Sequence, residues 1–328
     1  MKIYYDFHLH SCLSPCGDDE MTPHDLVQMA AILGLDAIAL TDHNTCGNCA
    51  AAAEVAADAG LIFLPGMELC TAEEAHVVCL FPTVEKALAF DAYVATTLPP
   101  VKNRPDIFGE QRLCNAQDEC IGTLEQLLAT ASSISVDDVV ALVRSYGGAA
   151  IPAHIDRPSY SVLAALGDVP PVGFTAIEIT ARGDVDDLKA RCAEIGDKPL
   201  LLSSDAHCLE NINEPAAYLE LPDGAPETVI AALNGAYKQE AHAVWEIAPA
   251  GFVCDFEESC SRAYIRMSGA ARGEILDSAS LLLGDLEIPA GTAEDKVEFI
   301  TGALPEKQIA EAIRKLPGKV ESLIRFLA

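Results

Sequence analysis

The chain is short of positive charge, of aromatic side chains and of long apolar runs. Lys and Arg total 21 against 50 Asp and Glu, for a net charge of −29. A field of that sign repels polyanions, so long nucleic acids make poor partners. A small phosphorylated molecule held through cations stays open, because the cations invert the local field. No uninterrupted apolar run reaches the roughly 18 residues of a membrane span, and Met1-Lys2 leads directly into Ile3-Tyr4-Tyr5 with no signal-peptide pattern. The expected location is therefore cytoplasmic, away from the membrane. Three common catalytic signatures are also missing: a convincing Ser-His-Asp order, a Gly-X-Ser-X-Gly turn and a phosphate-cradling glycine loop. No internal repeat or low-complexity tract is evident.

What is present is a globular composition. Half of the 328 residues are apolar, which suits one large domain with a small extra one. The 12 cysteines read as core packers, metal ligands or redox groups rather than disulfides in a cytosolic chain of this size.

Short, mostly aliphatic runs recur at 3–7, 36–41, 61–67, 76–81, 149–153, 176–180 and 199–204, as in strands buried on both faces. Helical stretches alternate with many of them. In the first, Thr22 can cap, Pro23 suits the first helical position, Leu26, Val27, Ala30 and Leu33 form an apolar stripe, and Gly34 stops it. Residues 50–59 and 136–145 read the same way. Alternation of this kind implies an α/β fold with a parallel sheet, and seven strands imply a TIM-like barrel or near-barrel. The link before 76–81 is too short for a crossover helix, so a tight return is expected there, placing His76 beside Glu68. The expected division is 1–238 for the barrel domain, with 97–135 as an insertion and lid candidate, and 239–328 as a helical C-terminal module. Helices are expected there at 270–283, 293–303, 305–315 and 318–328. A stripe of Ile309, Ile313, Leu316, Val320 and Leu323 offers a route to a homo-oligomer.

Six of the eight histidines fall at or near the ends of these runs: His8 and His10, His43, His76, His154 and His207, with Glu68 and Asp205 placed likewise. On an extended strand His-X-His puts both imidazoles on one face. Buried strands that each end in His, Asp or Glu deliver ligands to one rim, which is how a multinuclear metal site is built on a barrel. His24, in the first turn of a helix, and His242, beyond the barrel, read as non-ligands.

Several words here resemble the polymerase and histidinol phosphatase family, the PHP domain: His8-Leu9-His10-Ser11, Met21-Thr22-Pro23, Ile38-Ala39-Leu40-Thr41-Asp42-His43-Asn44, Pro65-Gly66-Met67-Glu68, Pro152-Ala153-His154 and Ser203-Ser204-Asp205-Ala206-His207. The resemblance spans about residues 1–235. It implies a distorted seven-stranded barrel, a trinuclear site of divalent ions such as Zn, Fe or Mn, and phosphoesterase activity. Carried over by position, His8, His10, Glu68 and Asp205 would hold the first ion, and Glu68, His76 and His154 the second. His43 and His207 would hold the third. The family's further ligand to that third ion is replaced here by Ser14-Pro15-Cys16-Gly17-Asp18-Asp19. An ungapped count puts Cys16 in the slot, with Asp18 and Asp19 as alternatives, and a thiolate would favour zinc or iron over manganese.

Cys46 and Cys49, with Cys12 and Cys16, put four cysteines near two ligand-bearing strand ends, and Cys208 follows His207. They read as an extra metal or redox site, or as packing under the rim. Arg157 is a candidate phosphate clamp, or the partner of Asp156 or Glu178 in an ion pair. Asp42 is expected to orient His43 or to support the site from behind. The resulting expectation is hydrolysis of a small phosphomonoester with two or three divalent ions, Arg157 and the ions meeting the phosphoryl charge and His207 supplying a proton to the leaving group. Two other readings stand beside it: a phosphodiesterase or exonuclease on short oligonucleotides, and a metal- or redox-sensing interaction protein built on the cysteines.

Overall fold

The computed structural model describes residues 1–181, 183–215 and 217–236, and the backbone of strands at 250–257, 260–267, 296–300 and 326–327. Two units divide the chain, Met1–Ala241 and His242–Ala328.

The first unit opens with β1 (Lys2–Leu9), whose last five residues are all buried. Helix α1 (Pro23–Leu33) follows. The Thr22 hydroxyl accepts from the Asp25 amide, Pro23 starts the first turn, and Gly34 closes it at φ 88°. Leu26, Val27 and Ala30 are buried, and a fully buried Leu or Val contributes about 1.5–3 kcal/mol relative to an exposed one. Next come β2 (Ala37–Leu40), α2 (Cys49–Ala59), β3 (Ile62–Cys70) and β4 (His76–Leu80). Strands β1, β2 and β3 run parallel, and β4 returns antiparallel to β3, pairing Cys70 with His76 and Glu68 with Val78. Gly66 permits this return, since a Cβ there would stand 2.5 Å from the Cys79 carbonyl oxygen.

Helix α3 (Val84–Val94) leads into the expected insertion, which is not structureless. It carries a short helix, α4 (Pro105–Phe108), and the hairpin β5 (Arg112–Cys114) with β6 (Cys120–Thr123). Helix α5 (Val136–Ser145), capped by the Ser135 hydroxyl, buries Val136, Val139, Val140 and Val143. Then follow β7 (Ala149–Pro152), α6 (Val162–Leu166), β8 (Ile177–Ile179), α7 (Val185–Arg191), β9 (Leu200–Leu202), β10 (Tyr218–Glu220) and α8 (Pro226–Leu233).

The seven expected runs are all strands and the sheet curls as in a TIM-like barrel, but the ladders do not join the seven into one closed sheet. Six strands form one curled half-barrel sheet, in the order β10-β1-β2-β3-β4-β7, and β8 and β9 form a separate parallel pair. That pair is tied to the sheet by isolated links. Ile155 N–H donates to the Glu178 carbonyl at 3.0 Å, and Leu9 bridges to Ala206. Side chains do the remaining joining: Ser204 N–H donates to Asp6 at 2.9 Å, and Leu202 N–H to the Tyr5 hydroxyl at 3.3 Å. Three-residue strands are too short to sustain a main-chain ladder on both edges. β10, which the sequence reading lacked, pairs antiparallel with the start of β1.

The second unit was expected to be helical. Its described residues are strands: β11 (Ala250–Glu257), β12 (Cys260–Met267), β13 (Lys296–Ile300) and β14 (Phe326–Leu327), in the order β13-β12-β11-β14. β13 falls inside the helix expected at 293–303 and β14 inside that expected at 318–328. Lys296-Val297-Glu298-Phe299 alternates polar and apolar residues, the period-two pattern of a strand. His242 and the stripe from Ile309 to Leu323 lie outside the described residues. Among the described residues no helix is long and apolar enough to cross a membrane.

Candidate metal centre

The strand ends carry the chemistry. β1 ends in His8 and His10, the turn after β2 holds His43, β3 carries Glu68 and β4 begins at His76. His154 follows β7, and Asp205 and His207 follow β9. Because β4 runs backwards, its first residue lies beside the last residues of β3, and all eight side chains reach one rim. Two of them hold strained backbone, His154 at φ 29° and Asp205 at φ 53°. For residues other than glycine this costs on the order of 1–3 kcal/mol and persists where the surroundings dictate it.

Glu68, 1% exposed, is the hub. Its Oε1 lies 3.3 Å from His8 Nε2, 2.8 Å from His76 Nδ1 and 3.0 Å from His154 Nε2. Its Oε2 lies 2.9 Å from His43 Nδ1 and 3.4 Å from His10 Nε2. Asp205 Oδ1 lies 3.3 Å from His8 Nε2 and 3.1 Å from His10 Nε2. Of the four sets of ligand atoms that gather within 4.8 Å among the described residues, three lie on this rim: His8, His10, Glu68 and Asp205; His43, Glu68 and His76; and His10, Cys16, His43 and His207. In the third, Cys16 Sγ is 3.2 Å from His43 Nε2. Asp18 and Asp19 turn elsewhere, to the Glu20 amide and to Arg112.

The hydrogen bonds behind the rim fix which nitrogens face inward. A carboxylate can only accept, so His8 Nδ1–H donates to Glu178 Oε1 at 2.9 Å. Ser14 gives its proton to Asp42 Oδ1 at 2.7 Å, so its oxygen accepts from His10 Nδ1–H at 2.9 Å. Both Nε2 atoms, 3.1 Å apart, then face two carboxylates, as lone pairs whenever the rings are neutral. Asp205 Oδ1 and His154 Nδ1 are buried without a hydrogen-bond partner. Acceptors converging with no proton between them repel, and a cation removes the conflict. The residues present fit divalent ions.

Protons take that place otherwise. Burial alone would depress His8 and His10, yet Glu178, Asp205 and Glu68 hold His8 well above its ordinary value, and Asp205 and Glu68 raise His10. Burial would raise Glu68 and Asp205, but the histidines around them hold both below the usual carboxylate range. His43 is lowered, chiefly by burial. Burial and the His10 charge take His207 down to about 3, and its Nδ1–H donates to the Asp205 carbonyl at 2.7 Å. His207 is thus neutral, with its Nε2 left as an acceptor. Desolvation of its sulfur and the Glu68, Asp205 and Asp42 charges push Cys16 up to about 12.

Asp42 does not touch the His43 side chain. It accepts from Ser11 N–H and from the Ser11 and Ser14 hydroxyls, each at 2.7 Å, and acts on the histidines through Ser14, which also accepts from His43 N–H at 3.2 Å. Arg157 pairs with neither Asp156 nor Glu178: its Nη1 lies 2.6 Å from Asp205 Oδ2. Among the described residues the cysteines form no common cluster. Cys12 faces Cys114 at 3.7 Å, and Cys49 donates to the Leu40 and Gly66 carbonyls. Sequence reasoning missed Ser14 and the inward role of Glu178. The latter had a signal, a carboxylate inside the buried triplet Ile177-Glu178-Ile179, which requires a partner. A cleft of about 280 Å³ opens over the cluster, and Phe108, Leu128 and Ala129 of the 97–135 insertion line it beside Arg157 and Tyr160.

Imidazoles and carboxylates gathered on the rim of an α/β sheet are the makings of a metal-dependent hydrolase. Residues 6–159 match the family model of the PHP domain. That match marks residues 6–159, just under half of the chain, as a PHP domain, a kind of domain found in metal-dependent hydrolases of phosphoester bonds. No curated protein matches it in sequence. In structure it is similar to the lesion-specific endonuclease PfuEndoQ from Pyrococcus furiosus, at 15% identity and a TM-score of 0.54, covering 95% of this chain and 72% of that one. It is also similar to an endonuclease Q bound to a 27-mer duplex with an abasic lesion, at 16% identity and a TM-score of 0.52, with the same coverage. A Bifidobacterium adolescentis protein assigned as a metal-dependent phosphoesterase has 19% identity and a TM-score of 0.47, covering 70% of this chain and 96% of that one. At these identities the likeness is one of fold.

Proposed function

We propose that the chain hydrolyses a small phosphomonoester at a site of two or three divalent ions. The observation that carries this reading is the pair of inward-facing Nε2 atoms of His8 and His10, 3.1 Å apart and facing Glu68 and Asp205. His8, His10, Glu68 and Asp205 would hold one ion, and Glu68 with His76 and His154 a second. Cys16, His43 and His207 would hold a third, with zinc or iron favoured by the thiol. Bound ions supply positive charge against the phosphoryl oxygens and acidify a water nucleophile.

The chain's own residues do the rest. Glu178 and Ser14 hold the His8 and His10 rings in the ligand tautomer. Arg157, 42% exposed and anchored on Asp205, keeps N–H groups free for a phosphoryl oxygen in the cleft. Asp42 steadies the Ser11–Ser14 turn. The 97–135 insertion narrows the cleft mouth as a lid. The domain of 1–238 carries the activity.

The test is turnover of 4-nitrophenyl phosphate against bis(4-nitrophenyl) phosphate by the full chain loaded with zinc, manganese or ferrous iron. The monoester should be preferred, and Glu68→Gln should lose most of the rate. Preference for the bis-ester would replace this reading with a phosphodiesterase acting on short oligonucleotides.

A further inference from the structure

Tyr160 is an expensive residue to place where it stands. Its φ is 54°, a conformation bulky side chains rarely adopt and one that costs on the order of 1–3 kcal/mol. The strain does not serve burial, since Tyr160 remains 53% exposed. It is nonetheless fixed. Its carbonyl accepts from His76 N–H at 2.9 Å, and its ring stacks on the His76 imidazole at 4.9 Å between centroids and 25° between planes. Of the exposed large apolar side chains among the described residues, Tyr160 alone borders the cleft over the metal cluster. The wall it joins includes Phe108 and Leu128.

The spacing of its neighbours is informative. His154, Arg157 and Tyr160 follow one another at intervals of three in a single turn, pinned by Arg157 N–H to the His154 carbonyl at 2.9 Å and by the Ser161 hydroxyl to the Arg157 carbonyl at 2.8 Å. One loop thus presents a candidate ion ligand, a cation for the phosphoryl group, and a rigid aromatic face beside it. We propose that this face is a leaving-group subsite, selecting phosphomonoesters whose organic part is a planar aromatic ring. The proposal rests on the phosphoesterase reading above and deepens it. The ring would stack on Tyr160 and against the Phe108–Leu128 wall while the phosphoryl group meets Arg157 and the ions. A stacked aromatic contact of this kind is worth roughly five- to hundredfold in binding, and it tolerates many rings because each has a π-face.

The experiment compares wild type with Tyr160→Phe, Tyr160→Leu and Tyr160→Ala, all as metal-loaded full chains, on phenyl phosphate, adenosine 5′-monophosphate and glycerol 2-phosphate. A parallel calorimetric titration uses adenosine 5′-monophosphate and inorganic phosphate. Tyr160→Leu and Tyr160→Ala should lose about tenfold or more in kcat/KM on the two ring substrates relative to glycerol 2-phosphate, mainly through KM. Tyr160→Phe should stay near wild type. In the titration the nucleotide should bind wild type more tightly than phosphate does, and that margin should vanish in Tyr160→Ala. A margin for adenosine 5′-monophosphate over phenyl phosphate would identify the ring as a nucleobase; the reverse would identify a simple aryl group. Equal losses on glycerol 2-phosphate would overturn the proposal and leave Tyr160 as a shield for His76. So would equal affinity of wild type for nucleotide and phosphate. If no ester is turned over, the phosphoesterase reading fails, and the titration still decides the subsite.

Discussion

Ser14→Ala removes one oxygen that serves three groups. The Ser14 hydroxyl accepts from His10 Nδ1–H at 2.9 Å and His43 N–H at 3.2 Å, and donates to Asp42 Oδ1 at 2.7 Å. Asp42 Oδ1 keeps the Ser11 amide at 2.7 Å. His10 keeps nothing on that side: it is fully buried, so its Nδ1–H is left without an acceptor, at a cost of about 1–3 kcal/mol. An independent route gives a similar figure. Loss of a group that orients a metal-binding histidine lowers affinity about 10–100-fold, which is about 1.4–2.8 kcal/mol. The ring is also released to expose Nδ1 in place of Nε2, which spoils the ion set of His8, His10, Glu68 and Asp205. The assay is metal retained after dialysis against a graded chelator, read by elemental analysis. The Ser14→Ala midpoint should move by one to two decades. Leu26→Ala is the control, since Leu26 is buried in α1 and its truncation costs about 2–5 kcal/mol of stability without touching the site. A Ser14→Ala protein that retains metal like wild type, or one that loses no more than Leu26→Ala, would refute the tautomer argument.

Glu68→Gln should fold but lose most bound metal and nearly all turnover, because five histidine nitrogens lie within 3.4 Å of that carboxylate; His24→Ala, half-exposed against Asp25 and Asp118, should leave turnover unchanged in the same assay. Cys16→Ser should reduce bound metal without emptying the sets built on Glu68, and alkylation of Cys16 in the loaded protein should wait for chelator; rapid labelling would remove Cys16 from the ligand set. Metal affinity should fall as pH drops. His8 and His10 are held protonated above their ordinary range in the ion-free protein, so an ion must displace those protons, at about tenfold in affinity per pH unit for each proton released; a flat profile between about pH 6 and 8, across the ordinary histidine range, would contradict this. Truncation after residue 240 should keep metal and activity on a small ester, since every ligand candidate precedes it; a folded truncation without metal would show that the second unit completes the site.

The candidate ligands were legible because their positions obey local rules. His8 and His10 share a face by strand periodicity, and Glu68, His154, Asp205 and His207 sit where apolar runs stop. α1 could be read from Thr22, Pro23 and Gly34 for the same reason: capping and the left-handed stop are short-range. The second unit went wrong at β13, where a five-residue alternation was read as part of a longer helical stretch. Local pattern is weakest in short segments, where partner strands decide the outcome.

By itself, then, the sequence determined seven strands of the first unit and which of their ends carry imidazoles and carboxylates. Tertiary structure alone decided which partner stands behind each ligand. Ser14 lies in a turn four residues after His10, while Glu178 comes from β8, 170 residues from His8. Nothing in either word names the other, because the proton on an imidazole is assigned by the acceptor the fold brings to it. The same holds for Arg157, whose Asp205 partner is set by the packing of two strand ends, and for closure of the sheet. Three-residue β8 and β9 join it through Asp6 and Tyr5 side chains rather than a ladder. Hydrophobic periodicity specifies a face to bury; which edges then meet is fixed only when all the faces are packed at once.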